Sequence, residues 1–194
     1  SWAALHLGGF HPALALVPSA HLFADAVVSL ALGPLGGGGE TAKVLGPPHG
    51  SGAFQGTSDT LSLGIRGRIV LDLGADLVVH GPGPDLTVFE NAFLVRGLTT
   101  FAPWAEPAWV SVSADGVTFR TFPCAIGEPP YFPGCAGVYP VFASDAVMAL
   151  VPSTAPIESM VGIPVDEFVP PAGSGGDSFD LAQLGLHAAR YVRI

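Results

Sequence analysis

Residues 80–93 read HGPGPDLTVFENAF, and within them Glu90 and Asn91 stand side by side between Phe89 and Phe93. The chain is only 12% charged, so an acid and an amide inside an apolar run call for a reason. Carboxylate and amide oxygens are hard donors, the kind that gather around Ca²⁺ together with backbone carbonyls. Asp85 closes the turn that opens this segment, and Asp177 and Asp180 stand in GGDSFDL near the C-terminal end. If the strands carrying them are neighbours in a sandwich, Asp85, Glu90, Asn91, Asp177 and Asp180 converge. They then supply ligands to one structural Ca²⁺ that ties loops together. A second reading needs no ion: Asn91 caps a turn and Asp177 caps a helix over 178–186. The spacing matches no dedicated calcium loop such as an EF-hand, so both readings stay open.

Other reactive side chains narrow the chemistry. Cys124 and Cys135 bracket a Pro/Gly-rich loop, CAIGEPPYFPGC, without CxxC spacing or a neighbouring histidine. A disulfide is expected, which implies an oxidising compartment, and closing so short a loop stabilises by roughly 3 kcal/mol. The alternative is two free buried thiols. Six histidines (His6, His11, His21, His49, His80, His187) are scattered with no HxH or HExxH spacing. No GxSxG elbow occurs, and the Gly36–Gly39 run lacks the lysine of a phosphate loop. A non-catalytic protein is therefore expected, and a hydrolase with carboxylates in its loops ranks last. Trp104, Tyr131 and Phe132 lie in Pro-rich loops and are candidate sugar-stacking aromatics, whereas Trp109 is assigned to the core.

The totals describe the body that positions these groups. Of 194 residues 49% are hydrophobic, with 26 glycines and 19 prolines, which suits many turns joining short apolar strands. The net charge of −9 comes with a single lysine and no basic cluster, which excludes nucleic acid and anionic membrane surfaces as expected partners. Residues 1–24 contain no Lys, Arg, Asp or Glu and begin without methionine, as in a processed product. They are similar to the apolar part of a signal peptide but lack its basic start, and Gly8-Gly9, Pro12 and Pro18 break them too often for a transmembrane helix. The alternative is an extended arm whose Trp2, Leu5 and Leu7 add a strand to a sheet edge, either of its own domain as an extra strand or, the favoured case, of a neighbouring copy. Such a head-to-tail contact builds a filament.

Strands are expected over 25–32, 68–73, 75–79, 86–93, 108–113, 118–122 and 189–194, with the strongest hairpin signal at Asp115-Gly116. Short helices are expected over 144–150, capped by Ser144, and over 177–186. The organisation predicted is an arm, 1–24, and one β-sandwich, 25–194.

VSVSADGVTF (110–119) and LGLHAARYVRI (184–194) resemble a strand-turn-strand and the closing strand of galactose-binding-like jelly rolls, the group that includes discoidin-type domains. IVLDL (69–73), HGPGPDLTVFENAF and GGDSFDLAQLGL are similar to a set of secreted bacterial cell-surface proteins. That set shares a GPGPD-x-x-VFEN segment, the two cysteines and a GGD-x-FDL segment. The resemblance covers residues 25–194. It implies an all-β jelly-roll sandwich with long Gly/Pro-rich loops and one or two short helices. It also implies secretion and a structural or adhesive role at a cell surface. Binding of surface glycans as a carbohydrate-binding module is the alternative. Where the related proteins carry Asp before GPGPD, this chain has His80.

Overall fold

The computed structural model describes residues 2–7, 22–75, 77–151, 153 and 156–194, the first six by their backbone. Residues 1 and 8–21 of the arm, with His11 and His21, and the side chains of Trp2, Leu5, His6 and Leu7 lie outside the described residues.

Twelve strands are described: β1 (Trp2–Leu7), β2 (Ala26–Ala31), β3 (Arg68–Asp72), β4 (Val78–Val79), β5 (Leu86–Glu90), β6 (Phe93–Arg96), β7 (Phe101–Trp104), β8 (Ser111–Ser113), β9 (Arg120–Thr121), β10 (Asp177–Phe179), β11 (Ala188–Ala189) and β12 (Tyr191–Arg193). They pair antiparallel throughout, in a five-stranded sheet ordered β2-β3-β12-β8-β9, a three-stranded sheet ordered β1-β5-β10, and the ribbons β4-β11 and β6-β7. The expected all-β architecture is what forms.

Period-two alternation explains the large sheet. Ile69 and Leu71 of β3, Val112 of β8 and Val192 of β12 are buried, while Arg68, Asp72 and Arg193 point the other way. Register aligns Val192 with both Leu71 and Val112. Leu86 and Val88 of β5 and Phe179 of β10 meet this layer in one continuous core. Each buried aliphatic side chain of this kind stabilises by about 2 kcal/mol. Strand β5 is enclosed along its whole length. Phe89 points away from that core and packs with Leu22, Phe23, Val141 and Ala143 in a second cluster. A third cluster, around Leu94, Phe101, Tyr139 and Met160, underlies the loop bracketed by the cysteines.

Helical structure is brief. The helix Ala146–Ala149 is capped by Asp145, whose Oδ1 accepts from the N–H groups of Val147 and Met148 at 2.9 Å, and not by Ser144. The segment expected to be helical over 177–186 divides: its first three residues are β10. The rest forms a 3₁₀ turn, Leu181–Leu184, capped by Asp180 and ended by Gly185 in the left-handed region at φ 61°.

Candidate functional site

The pairing of β5 with β10 decides the fate of the five proposed calcium ligands. Asp177 lies opposite Val88 and Phe179 opposite Leu86. This register brings Asp180 to Asp85 at one end of β5 and Asp177 to Glu90 at the other. Five strand residues separate the ends by roughly 17 Å. One ion therefore cannot take all five; the set is two clusters.

At the first end, Asp85 is buried and works as a staple. Its Oδ1 accepts from the Gly81 N–H at 2.7 Å and its Oδ2 from the Leu181 N–H at 2.8 Å. This holds the Gly-Pro turn to the 3₁₀ turn near the C-terminus. His80 Nδ1 lies 3.3 Å from Asp85 Oδ2 and 3.5 Å from Asp180 Oδ1. The three groups place one nitrogen and two carboxylate oxygens within 4.8 Å of one another, the one such His/acid cluster among the described residues. The carboxylate oxygens already face backbone N–H donors, and Ca²⁺ takes six to eight oxygens without imidazole. The donor set fits a hydrogen-bonded staple better than a calcium shell.

At the second end, the Asp177 carboxylate accepts from three successive N–H groups, those of Gly137 (2.8 Å), Val138 (3.1 Å) and Tyr139 (3.2 Å). Gly137 makes the cradle possible: its φ is +81°, and a Cβ there would stand 2.4 Å from the Glu106 carbonyl oxygen. Asp177 therefore caps this loop instead of a helix. Glu90 is buried beside it. Burial, reinforced by the carboxylates of Glu106 and Asp177, pushes Glu90 up to about 8. Burial also raises Asp177, to about 7, against the pull of its three hydrogen bonds. Those donors favour the ionised form of Asp177, so of the two acids Glu90 keeps its proton to the higher pH. Asn91 Oδ1 accepts from the Thr57 N–H and ties down the loop before it, the turn-capping role. The space beside Glu90, lined by Gly50, Gln55, Thr57 and Val141, has a volume of about 10 Å³, room for one water at most.

Cys124 and Cys135 form the expected disulfide, with Cα atoms 4.6 Å apart. Within its loop Tyr131 and Phe132 are half-buried against the third cluster. Trp104 is exposed, its ring stacked on Phe93 at 6.2 Å. Trp109 overturns its assignment to the core: it is 51% exposed. The reason is parity. Val110 and Val112 point into the core, so Trp109 takes the opposite face of the strand, as does Ser111, which is itself buried under Arg193 and Thr121.

That outer face borders an open groove of about 1090 Å³. Its polar and aromatic lining comes from Arg66, Arg68, Glu106, Trp109, Thr121 and Arg193 with Ser62 and the buried Ser111, beside the apolar Leu35, Ile65 and Ile126. Arg193 is fixed from two sides: its Nη2 donates to Ser111 Oγ at 3.3 Å, and its guanidinium lies 4.3 Å from the Phe119 ring centroid. Ser111 Oγ also meets Thr121 Oγ1 at 2.9 Å. The pieces come from four distant stretches of chain, and sheet order alone assembles them.

Strand β1 adds to the edge of β5 in its own chain, with Trp2 opposite Glu90, Leu5 opposite Val88 and Leu7 opposite Leu86. Among the described residues no helix is long and apolar enough to cross a membrane. Compared with protein-family models, curated proteins and solved structures, the chain matches none.

Proposed function

We propose that the protein is a non-catalytic, adhesive β-sandwich of the extracellular surface that binds saccharide in the groove beside Trp109. The observation that carries this reading is the half-exposed Trp109 indole in an open groove that also presents guanidinium and hydroxyl groups. A flat aromatic face receives the C–H side of a sugar ring, while the surrounding polar groups bond its hydroxyls. The volume, about 1090 Å³, suits an oligosaccharide. Binding is favoured over hydrolysis because the acids with raised pKa values, Glu90 and Asp177, adjoin a space that admits no sugar. The disulfide favours an oxidising, extracellular setting. The test is a glycan array probed with labelled protein. Binding that is lost in Trp109→Ala but kept in Trp104→Ala is the expected result. Binding that depends on Trp104 and ignores Trp109 would refute the assignment of the groove.

A second reading, self-association into a filament, is favoured by the edge position of β1. Fourteen residues, 8–21, separate β1 from Leu22. That length reaches up to about 50 Å when extended, enough for the same strand to pair with β5 of another copy. Light scattering of the native protein, with and without residues 1–24, distinguishes exchange from pairing within one chain.

A further inference from the structure

Deepening the saccharide reading, on which it rests, we infer that the ligand is anionic: a uronate-bearing polysaccharide whose carboxylate is held by the arginines of the groove while a sugar ring lies on Trp109. The chain has a net charge of −9 and six arginines. Three of them, Arg66, Arg68 and Arg193, line this one groove, against one side-chain carboxylate, Glu106. In so acidic a molecule the groove is a local island of positive charge, a charge pattern complementary to an anion.

The state of those arginines points the same way. Arg190 shows what an arginine committed to structure looks like: its Nε and Nη2 reach Asp72 at 2.8 and 2.9 Å. Among the described residues no carboxylate lies within ion-pair distance of Arg66, Arg68 or Arg193. Arg193 is held in place by Ser111 and Phe119 without being neutralised by either. It lies opposite Val70, so Arg68, two residues earlier on β3, is its diagonal neighbour on the same face. Diagonal positions across an antiparallel pair stand about 7–8 Å apart, close enough for two guanidinium groups to share one carboxylate. Arg66 joins from the turn before β3, where its φ is +60°.

A uronate matches this arrangement because its planar carboxylate meets the guanidinium fork and is bonded to the ring that stacks on the indole. A sulfated sugar offers a tetrahedral anion instead. A second copy of this acidic chain offers carboxylates without a ring.

Calorimetry with the full chain tests the inference. The probes are oligomers of galacturonate, glucuronate and mannuronate, their neutral counterparts of equal linkage, and a sulfated neutral oligomer. The variants are Arg66→Asn/Arg68→Gln, in which Asn keeps the left-handed turn, Trp109→Ala, and Arg96→Ala outside the groove; thermal melting confirms that each folds. The expected result is that at least one uronate binds ten-fold or more tightly than its neutral counterpart. The arginine double variant should lose that preference, Arg96→Ala should keep it, and added salt should weaken binding. Neutral oligomers that bind as tightly as uronates, with loss in Trp109→Ala, would overturn the anionic ligand and leave the saccharide groove standing. Failure of wild type to bind any saccharide at millimolar concentration would overturn both. Tighter binding of the sulfated oligomer would overturn the uronate. So would a wild-type dimer in sedimentation that the double variant dissolves, since the groove's occupant is then a second copy.

Discussion

Replacing Glu90 by glutamine should change how stability depends on pH, because the wild-type side chain is a buried acid. Its ordinary value of 4.5 is raised to about 8 in the folded protein. The sign follows from linkage. The folded state holds a proton that the unfolded chain releases above 4.5, so the stabilisation is complete below 4.5 and is lost as pH rises through about 8. At 1.36 kcal/mol per pH unit the whole interval is worth about 5 kcal/mol, and the part already lost at pH 7 is about 3 kcal/mol. Glu90→Gln has no proton to lose. Urea unfolding followed by tryptophan fluorescence should find the two proteins similar near pH 4.5. The variant should gain steadily, to an advantage of about 3 kcal/mol at pH 7. Asp177 is coupled to Glu90 and moves with it, so the difference between the two proteins reports the pair. A difference that stays constant from pH 4.5 to 8.5 would refute the placement of the proton on a buried Glu90.

Removing the disulfide with Cys124→Ala/Cys135→Ala should cost about 3 kcal/mol, read from the urea midpoint, because the closed loop is short. Asp85→Ala should cost about 3 kcal/mol by removing the shared acceptor of the Gly81 and Leu181 N–H groups, and proteolysis should then open the 80–85 turn first. Gly137→Ala should cost at least as much, since its Cβ would meet backbone at a left-handed position; a melting temperature equal to wild type would contradict the cradle around Asp177. Calcium chloride at 5 mM should leave the melting temperature unchanged, because the acids form two hydrogen-bonded clusters; a rise of several degrees would restore the calcium reading.

What the sequence made legible was local. Alternation in 68–73 placed Ile69 and Leu71 inside, and the short Cys124–Cys135 spacing located the disulfide. The acids stood out against an apolar sequence, but their grouping was not readable, because it depends on the β5–β10 register. A residue count gives the length of a strand and says nothing about which residue of a remote strand stands beside it. Trp109 was misplaced for a different reason. Its parity with Ser111 was visible, yet its place just before an alternating strand suggested the core, and the face on which it lies exists only once β12 and β3 join β8. The β6–β7 ribbon was overlooked because Pro103 and a turn without a strong signature interrupt it. The 178–186 segment has a helical composition, but pairing with β5 claims its first residues as strand.

The outer face around Trp109 is the binding surface we propose. Two-dimensional ¹H–¹⁵N NMR of the labelled protein, titrated with the saccharide that an array selects, tests it most directly. Shifts centred on the Trp109 indole N–H and spreading to the amides of Arg68, Ser111, Thr121 and Arg193 are expected. Shifts centred on Trp104, Tyr131 and Phe132, with the Trp109 resonance unmoved, would contradict it.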